Sequence, residues 1–300
     1  MRRFAFDLST RAKLRVSGPD RARYLNGQIT NDLAKATAAA AVHAVVLNAK
    51  GRMQADVFIH ADEAAYIIDA DPELRGSIGE RLERYVVADD VEIADVTDDF
   101  GLVHVLGEPA GPFSNGARAV AAKRFGVPGV DLWLTPNRTA AVLEELAADY
   151  ELLDDARRET FRIEQGVPRW GAELSDAIIA VEAGLEADVI DYEKGCYIGQ
   201  EVISRMKMSG QKNKELRGFV SLTGAPLHTG MRLFANATSG AEIGWLTSAT
   251  RSDALGQEIA LGFAKRGHNA LGTELCAADS SDTNSVAVRI VELPFAAGVG

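Results

Sequence analysis

The stretch DYEKGCYIGQEVISRMKMSG, residues 191–210, carries the most distinctive pattern in the chain. Its single cysteine, Cys196, lies between Gly195 and Gly199, and Lys194 precedes it by two positions. Glycine adopts backbone angles that other residues avoid, so the pattern predicts a sharp turn or a close approach to a ligand. A nearby ammonium favours the thiolate, which is the reactive form of cysteine. The stretch therefore predicts a tight loop that carries a thiol.

A short helix is predicted directly after this loop, because apolar residues recur there at helical spacing. These residues are Val202, Ile203 and Met206. Glu201 and Arg205 have the spacing of an i,i+4 ion pair on the same helix. A plainer interpretation of Cys196 stays open, since a free cysteine is often a buried residue that only fills space.

The composition is that of an ordinary globular protein: 300 residues, 47% hydrophobic and 25% charged. A net charge of −11 disfavours general binding to nucleic acid. Two cysteines are too few for a disulfide framework and favour a reducing compartment. The N-terminal residues lack the apolar core of a secretory signal, and no apolar run is long enough to span a bilayer. We therefore expect a cytoplasmic protein.

Several classes of enzyme are disfavoured by missing motifs. The five histidines form no HxxH or HExxH pattern, so no metal site is predicted. Neither GxGxxG nor a P-loop is present, which argues against dinucleotide and nucleoside triphosphate chemistry. An iron–sulfur cluster usually takes four thiolates, so two cysteines cannot hold one alone.

Two regions differ in their secondary-structure pattern. Before residue 210, strands alternate with helices, and an irregular segment is expected at Glu108–Gly116. After it, short strands separated by Gly and Pro predict a small β-barrel or sandwich. The predicted late strands are 216–222, 232–235, 241–248, 258–264 and 285–290. We expect two domains, residues 1–210 and residues 211–300.

The octapeptide KGCYIGQE, residues 194–201, resembles the KGCYxGQE signature of the YgfZ family. These proteins are folate-binding relatives of the glycine-cleavage aminomethyltransferase that support iron–sulfur proteins. The phrases GPDRARYLNGQITNDL, LNAKGRMQAD and RIEQGVPRW also look like family segments, so the resemblance covers nearly the whole chain. It implies an α+β fold in which mixed αβ subdomains form a ring around a central folate cavity, followed by a C-terminal β-barrel.

Asp56 is the first candidate folate ligand, because a carboxylate on a strand inside a cavity could bond a pterin. An exposed strand aspartate is the plain alternative. In the aminomethyltransferases that this chain resembles, a DD pair stands here, and its second member contacts folate. Here the pair is Ala55-Asp56. The resemblance also implies roles for Asn48, for His60, where those enzymes have tyrosine, and for Asp69, where they place a folate-contacting asparagine.

Arg162 and Glu164 form a second candidate group at a predicted helix end. A carboxylate such as Glu164 can accept two N–H bonds from the pterin edge, although a solvated helix end is the alternative. Tyr197 and Arg205 complete the implied folate set. From Lys194 to Arg217, six basic residues stand against two acidic ones, a local net charge of +4. This basic run could bind a folate tail, an RNA or a protein, or it could be a solvated linker.

The resemblance implies a folate-binding protein that supports the assembly, repair or maintenance of iron–sulfur enzymes, including those that modify tRNA. The implied cofactor is tetrahydrofolate or a derivative, and the implied partners are iron–sulfur enzymes or assembly proteins. The Cys196 thiol would work at the cavity rim, where Lys194 favours the thiolate and Gln200 and Glu201 order the loop. One alternative is a tetrahydrofolate-dependent aminomethyltransferase, although those enzymes usually carry aspartate at the position of Cys196. Another is an adaptor that binds partners through the basic run.

Overall fold

The computed structural model of the chain describes residues 3–107, 116–236, 240–279 and 285–295. The predicted irregular segment Glu108–Gly116 therefore lies outside the described residues, apart from its last residue. The chain divides into two units. The first comprises Met1–Asp154, Ser175–Ala180 and Leu185–Arg205, and the second comprises Asp155–Leu174, Val181–Gly184 and Met206–Gly300.

The strands are numbered in chain order. They are β1 (Phe4–Asp7), β2 (Ala12–Ser17), β3 (Val42–Leu47), β4 (Met53–Asp62), β5 (Ala65–Ala70), β6 (Glu92–Asp95), β7 (Gly101–Leu106), β8 (Arg118–Ala122), β9 (Gly129–Leu134), β10 (Glu151–Leu152), β11 (Lys214–Ser221), β12 (Arg232–Phe234), β13 (Glu242–Ser252), β14 (Gln257–Lys265), β15 (Glu274–Ala278) and β16 (Val286–Val291). The helices are α1 (Arg21–Gln28), α2 (Arg75–Glu83), α3 (Thr139–Leu146), α4 (Asp155–Glu164), α5 (Glu186–Val189) and α6 (Gln200–Ser209). Short 3-10 turns occupy Leu33–Lys35, Pro72–Leu74, Thr97–Asp99 and Pro136–Arg138.

One sheet of the first unit has the strand order β3-β4-β5-β2-β6. Strand β4, which lies between β3 and β5, buries Val57 and Ile59 completely on one face. Because side chains alternate along a strand, Asp56, Phe58 and His60 share the other face. The pairing of the strands sets His43 of β3 and Asp69 of β5 on either side of Phe58. The register thus collects polar side chains in one row across the sheet.

The second sheet of this unit has the order β10-β1-β7-β9-β8. Its apolar side packs against α3 through Val142 and Leu146, which lie in one buried cluster with Val103 and Leu132. This packing fixes β7 and β9, the two strands that supply His104 and Asp131 to the interior. The second sheet therefore places polar and charged side chains in the interior of the first unit, as well as apolar ones.

The second unit contains a closed barrel with the strand order β11-β14-β13-β12-β15-β16. Its interior is apolar and includes Phe219, Leu233 and Leu246. Helix α4 belongs to the same unit and makes hydrogen bonds to β13, among them one between the hydroxyls of Thr160 and Thr250 at 2.9 Å. The barrel confirms one of the two predicted architectures and excludes the sandwich.

The predicted α+β class, with mixed subdomains and a C-terminal β-barrel, is confirmed. The boundary between residues 210 and 211 stays a prediction. Strands β1 and β15 were not predicted, because each is short and β15 is rich in alanine, which has low β-propensity. Among the described residues, no helix combines the length and the apolar character that a bilayer crossing requires.

Candidate functional site

The loop around Cys196 has the predicted form. Cys196 is exposed, has no disulfide partner, and makes no hydrogen bond within the described part of the chain. The N–H of Ile198 donates to the carbonyl of Gly27 at 3.2 Å, and α6 begins at Gln200 directly afterwards. Glu201 and Arg205 form the predicted ion pair on the exposed face of α6. The interpretation of Cys196 as a buried space-filling residue is therefore wrong.

Two glycines fit the Cys196 loop against the turn between β3 and β4. Gly199 has φ +85°, and a β-carbon there would lie 2.6 Å from the carbonyl oxygen of Asn48. Gly51 has φ +70°, and a β-carbon there would lie 2.8 Å from Cβ of Val202 on α6. Both positions therefore require glycine for space as well as for backbone angle. The contact explains why a glycine follows the cysteine by three positions.

We expect the substitution Gly199→Ala to lower the free energy of unfolding by about 2–4 kcal/mol, from left-handed strain and from the clash with Asn48. The matched control is Gly195→Ala on the other side of Cys196, where a β-carbon would meet no atom within 4 Å. That control should change stability by less than about 0.5 kcal/mol. Urea unfolding measures both variants, and equal midpoints would contradict the packing described for Gly199.

Lys194 does not contact the thiol in the predicted way. Its Nζ donates to three backbone carbonyls in residues 26–31, and an ammonium has only three protons. Burial lowers the pKa of Lys194 to about 8, while Asp32 and Asp191 act in the opposite direction. The predicted effect of Lys194 on the thiolate stays a prediction. Because the three N–H groups of the ammonium are bonded to carbonyls, Lys194 could favour the thiolate only through its positive charge.

Tyr197 is 7% exposed, and its hydroxyl has no hydrogen-bond partner in the described part of the chain. Burial raises the pKa of this phenol to about 12, so it stays protonated at neutral pH. A buried hydroxyl without a partner costs free energy. Tyr197 therefore offers a donor and an acceptor that the protein itself does not use.

Asp56 is one-fifth exposed, and its Oδ1 lies 2.6 Å from Nε2 of His43. The His43 ring stacks on Phe58 with a centroid distance of 4.3 Å and an interplanar angle of 6°. Both rings line a cavity of about 290 Å³ within the first unit. The other lining residues are Asn31, Lys35, Ala41, Val42, Lys123, Ala187, Asp188 and Ile190. Asp56 is thus bonded to one wall of an open cavity.

Asn48 organises the turn after β3 rather than projecting freely. Its Oδ1 accepts from the N–H groups of Lys50 at 2.9 Å and Arg52 at 3.1 Å. This side chain therefore fixes the turn on which Gly199 packs. The predicted contact between Asn48 and a folate stays a prediction.

Asp69 is the centre of a buried ion network and not of an open site. It is 1% exposed, and its carboxylate accepts from Arg124 at 2.9 and 2.7 Å and from Arg11. Burial alone would raise the pKa of Asp69, but the two guanidinium groups lower it below its usual value. The predicted folate contact of Asp69 stays a prediction, and this pairing does not support it.

His60 also lies deeper than the resemblance implied. It is 3% exposed and packs on Trp133 at a centroid distance of 4.6 Å. Burial, helped by Arg118, lowers the pKa of His60 to about 4, so the ring is neutral at physiological pH. Its place in a folate site stays a prediction that this packing does not support.

Arg162 has no N–H group left for a ligand. Its five N–H groups donate to Glu159, to Glu173, to the hydroxyl of Ser248 and to the carbonyl of Val167. This pattern attaches α4 to β13 in the second unit. The predicted cofactor contact of Arg162 stays a prediction that these bonds do not support.

Glu164 differs from its neighbour on α4 because it is only partly bonded. It is half-buried, and its Oε1 accepts from the hydroxyl of Ser252 at 2.5 Å. Its Oε2 has no partner in the described part of the chain. Of Arg162 and Glu164, only Glu164 therefore has a polar atom that the described residues leave available to a ligand.

The basic run does not form an unpaired positive surface. Arg205 contacts Glu201, Lys212 and Arg217 both contact Glu215, and Lys214 lies 3.7 Å from Glu182. Glu201 and Glu215 are already counted in the local net charge of +4, and Glu182 is the one further acid in these contacts. The run therefore keeps a positive excess, and the adaptor hypothesis stays open.

Sequence reasoning missed His43 and Arg124. The hairpin of β3 and β4 could have revealed His43, because a short turn sets residue 43 opposite residue 58. No local signal marks Arg124, whose guanidinium lies 4.3 Å from the Phe58 ring centroid and binds both Asp69 and Asp131.

Two domain families match the chain. Residues 3–115 match the GCVT N-terminal domain, and residues 214–296 match the glycine cleavage T-protein C-terminal barrel domain. The crystal structure of the glycine cleavage system aminomethyltransferase T from Bartonella henselae superposes with a TM-score of 0.85 at 18% identity, over 98% of this chain and 86% of that one. At this identity the likeness shows the fold alone.

Two kinds of relative are similar in sequence. An aminomethyltransferase of Saccharopolyspora erythraea is 27% identical over 97% of this chain and 86% of its own length. The mitochondrial iron–sulfur cluster assembly factor IBA57 homolog of Dictyostelium discoideum is 26% identical over 70% of this chain and 60% of its own length. Neither similarity decides between the two activities. The chain is therefore similar to the glycine cleavage T-protein in two places, over its N-terminal domain and over its C-terminal barrel domain.

Proposed function

We propose that this protein binds a reduced folate and uses the Cys196 thiol to support the assembly, repair or maintenance of iron–sulfur enzymes. The observation that carries the proposal is the state of Cys196. Its thiol is exposed and has no partner among the residues that the structure describes, while the loop on either side of it is held firmly by hydrogen bonds and glycine packing. Such an arrangement suits a thiol that reacts with, or ligates, something outside the chain.

The first unit offers groups that fit a pterin. The cavity beside His43 and Phe58 has about 290 Å³, close to the lower end of known ligand pockets at about 300 Å³. Asp56 is bonded through one oxygen to His43, which leaves its Oδ2 able to accept from an amine. Tyr197 adds a buried hydroxyl that no described residue bonds. Bound there, tetrahydrofolate would supply a carrier for one-carbon groups.

The second unit offers Glu164 as a second acceptor. Ser252 orients the carboxylate through Oε1, and Oε2 stays open. A carboxylate that is oriented on one side and open on the other suits the guanidine-like edge of a pterin. Within the first unit we assign Asp56 and Tyr197 to the ligand, with Asn48 as support for the turn. Glu164 is proposed as a ligand contact on its own evidence.

We expect Glu164→Ala to weaken tetrahydrofolate binding by roughly 1.5–3 kcal/mol, the range for a lost charge-assisted hydrogen bond. This corresponds to a dissociation constant about 10–150 times larger. Isothermal titration with tetrahydrofolate, carried out under anaerobic conditions, measures the change.

The matched control is Glu274→Ala. Glu274 is also a barrel-unit glutamate, is 60% exposed, and pairs with Arg289 on the surface. This variant should bind tetrahydrofolate like the wild type. An unchanged dissociation constant in Glu164→Ala would remove Glu164 from the pterin site.

A second candidate is a tetrahydrofolate-dependent aminomethyltransferase. The similarity to aminomethyltransferases over 97% of the chain favours it, whereas the match to the iron–sulfur factor covers 70%. An assay with aminomethyl-loaded carrier protein and tetrahydrofolate separates the two candidates. The first candidate predicts no ammonia release above background, and turnover would favour the second.

The clients of the first candidate would include iron–sulfur enzymes that modify tRNA, and the compartment would be the cytoplasm. Cells lacking this protein should then lose modified nucleosides that depend on such enzymes. Mass spectrometry of hydrolysed tRNA measures them.

A further inference from the structure

The ammonium of Lys194 lies among three carbonyl oxygens of one short segment. Its Nζ donates to Asn26 at 2.7 Å, to Ile29 at 2.8 Å and to Asn31 at 2.6 Å. An ammonium directs three N–H bonds from a single nitrogen, so the three acceptors saturate it. We name residues 26–31, which comprise the last residues of α1 and the three that follow, the carbonyl loop, since this segment presents these oxygens.

The carbonyl loop is also bonded to the chain on both sides of Cys196. Before it, the N–H of Asp191 donates to the carbonyl of Thr30 at 3.1 Å, and the hydroxyl of Thr30 donates to Val189 at 2.5 Å. After it, the N–H of Ile198 donates to Gly27 at 3.2 Å. The Lys194 contact lies between these two attachments in the sequence, two positions before Cys196.

Asn31 connects the same loop to the cavity. Its side chain lines the cavity beside His43 and Phe58, and its Nδ2 donates to the carbonyls of His43 at 2.9 Å and Asp188 at 3.0 Å. Its own carbonyl accepts from Lys194. A single residue thus contacts the cavity through its side chain and the cysteine segment through its backbone.

We infer that Lys194 is a positioning residue that fixes the Cys196 loop to the cavity wall through the carbonyl loop. It acts on the thiol by geometry and not by donating a proton to sulfur, since all three donors are in use. This inference deepens the proposed function and rests on it, because it assumes that the position of Cys196 matters for the work of the protein.

Arginine cannot replace lysine in this role. A guanidinium is planar, and its N–H groups diverge from three nitrogens in a fixed fork. Three carbonyls that converge on one point fit an ammonium and not this fork. Lys194→Arg keeps the positive charge and loses the contact, so it separates an effect of geometry from an effect of charge.

The test uses a nitroxide label on Cys196 in the full chain, with Cys276 replaced by serine so that only one thiol reacts. Electron paramagnetic resonance reports how freely the label moves. We expect a restricted spectrum in the otherwise unchanged protein. Both Lys194→Arg and Lys194→Met should give a mobile spectrum, with at least a threefold shorter correlation time. Lys50→Met, which removes an exposed lysine of the same unit, should leave the spectrum restricted.

Two results would overturn the inference. A restricted spectrum in Lys194→Arg would show that positive charge is sufficient, and a restricted spectrum in Lys194→Met would show that the carbonyl contacts do not order the loop. If methionine prevents folding, Lys194→Gln takes its place, because an amide cannot reach three carbonyls from one nitrogen. A second readout is the tetrahydrofolate dissociation constant of Lys194→Arg, which should rise more than about threefold, because Tyr197 lies in the loop that the carbonyl contacts hold.

Label mobility is independent of iron–sulfur activity, so the inference and the proposed function can fail separately. The label could be mobile in the Lys194 variants while Cys196→Ser retains full activity in cells. That result would support the role of Lys194 in ordering the loop and would reject the proposed function of the thiol.

Discussion

Replacing Arg124 by leucine is expected to lower the free energy of unfolding by about 3–5 kcal/mol, the cost of leaving a buried charge without its partner. Arg124 donates to Asp131 at 2.7 and 2.6 Å and to both oxygens of Asp69, and all three side chains are almost fully buried. Without the guanidinium, two carboxylates would face each other in the interior. Urea unfolding followed by the fluorescence of buried Trp133 measures the loss.

The control for this prediction is Arg75→Leu. Arg75 also bonds two aspartates, Asp95 and Asp98, but it does so on the surface. Surface ion pairs contribute little, because solvent screens them. Arg75→Leu should therefore cost far less than Arg124→Leu, and a comparable loss from both would contradict the buried network as a source of stability.

The same network predicts the direction of the pH dependence. Burial would raise the pKa values of Asp69 and Asp131, but Arg124 holds both below the ordinary carboxyl value. Arg11 lowers the pKa of Asp69 further, and His104 lowers that of Asp131 further. The folded state therefore binds fewer protons than the unfolded state. This contribution is fully present above the unfolded pKa of about 3.9 and is lost as pH falls through the lower folded values. Arg124→Leu should remove it.

The second large effect concerns Cys196. Cys196→Ser should abolish the ability of the protein to restore iron–sulfur enzyme activity in cells that lack it, because serine has no thiolate to react or to bind iron. Folate affinity should stay within about threefold, or under 1 kcal/mol, because Cys196 is exposed and bonded to nothing within the described residues.

Cys276→Ser is the matched control, since Cys276 is a half-buried residue of the barrel strand β15. It should retain full activity in cells. Full activity of Cys196→Ser would remove the thiol from the mechanism, whatever the folate titration shows.

The local features were predictable from the sequence because they depend on neighbouring residues. The loop around Cys196 and the start of α6 after Gly199 both follow from glycine positions and periodicity. The short barrel strands followed from turn residues, except β15, where alanines gave no strand signal. These features were sufficient to predict the fold class.

The partners of the charged side chains were not predictable in the same way. Asp69 and Arg124 are 55 positions apart, and Lys194 lies more than 160 positions from each of its carbonyl acceptors. No periodicity relates residues at such separations. Sequence reasoning could therefore assign a carboxylate to a site, as for Asp69, without showing that a guanidinium already occupies it.

Anaerobic calorimetric titration of the wild-type and Cys196→Ser proteins with tetrahydrofolate, side by side, tests the central claim most directly. The account predicts saturable binding of one molecule per chain, with dissociation constants that agree within about threefold. No saturable binding by the wild-type protein would contradict it.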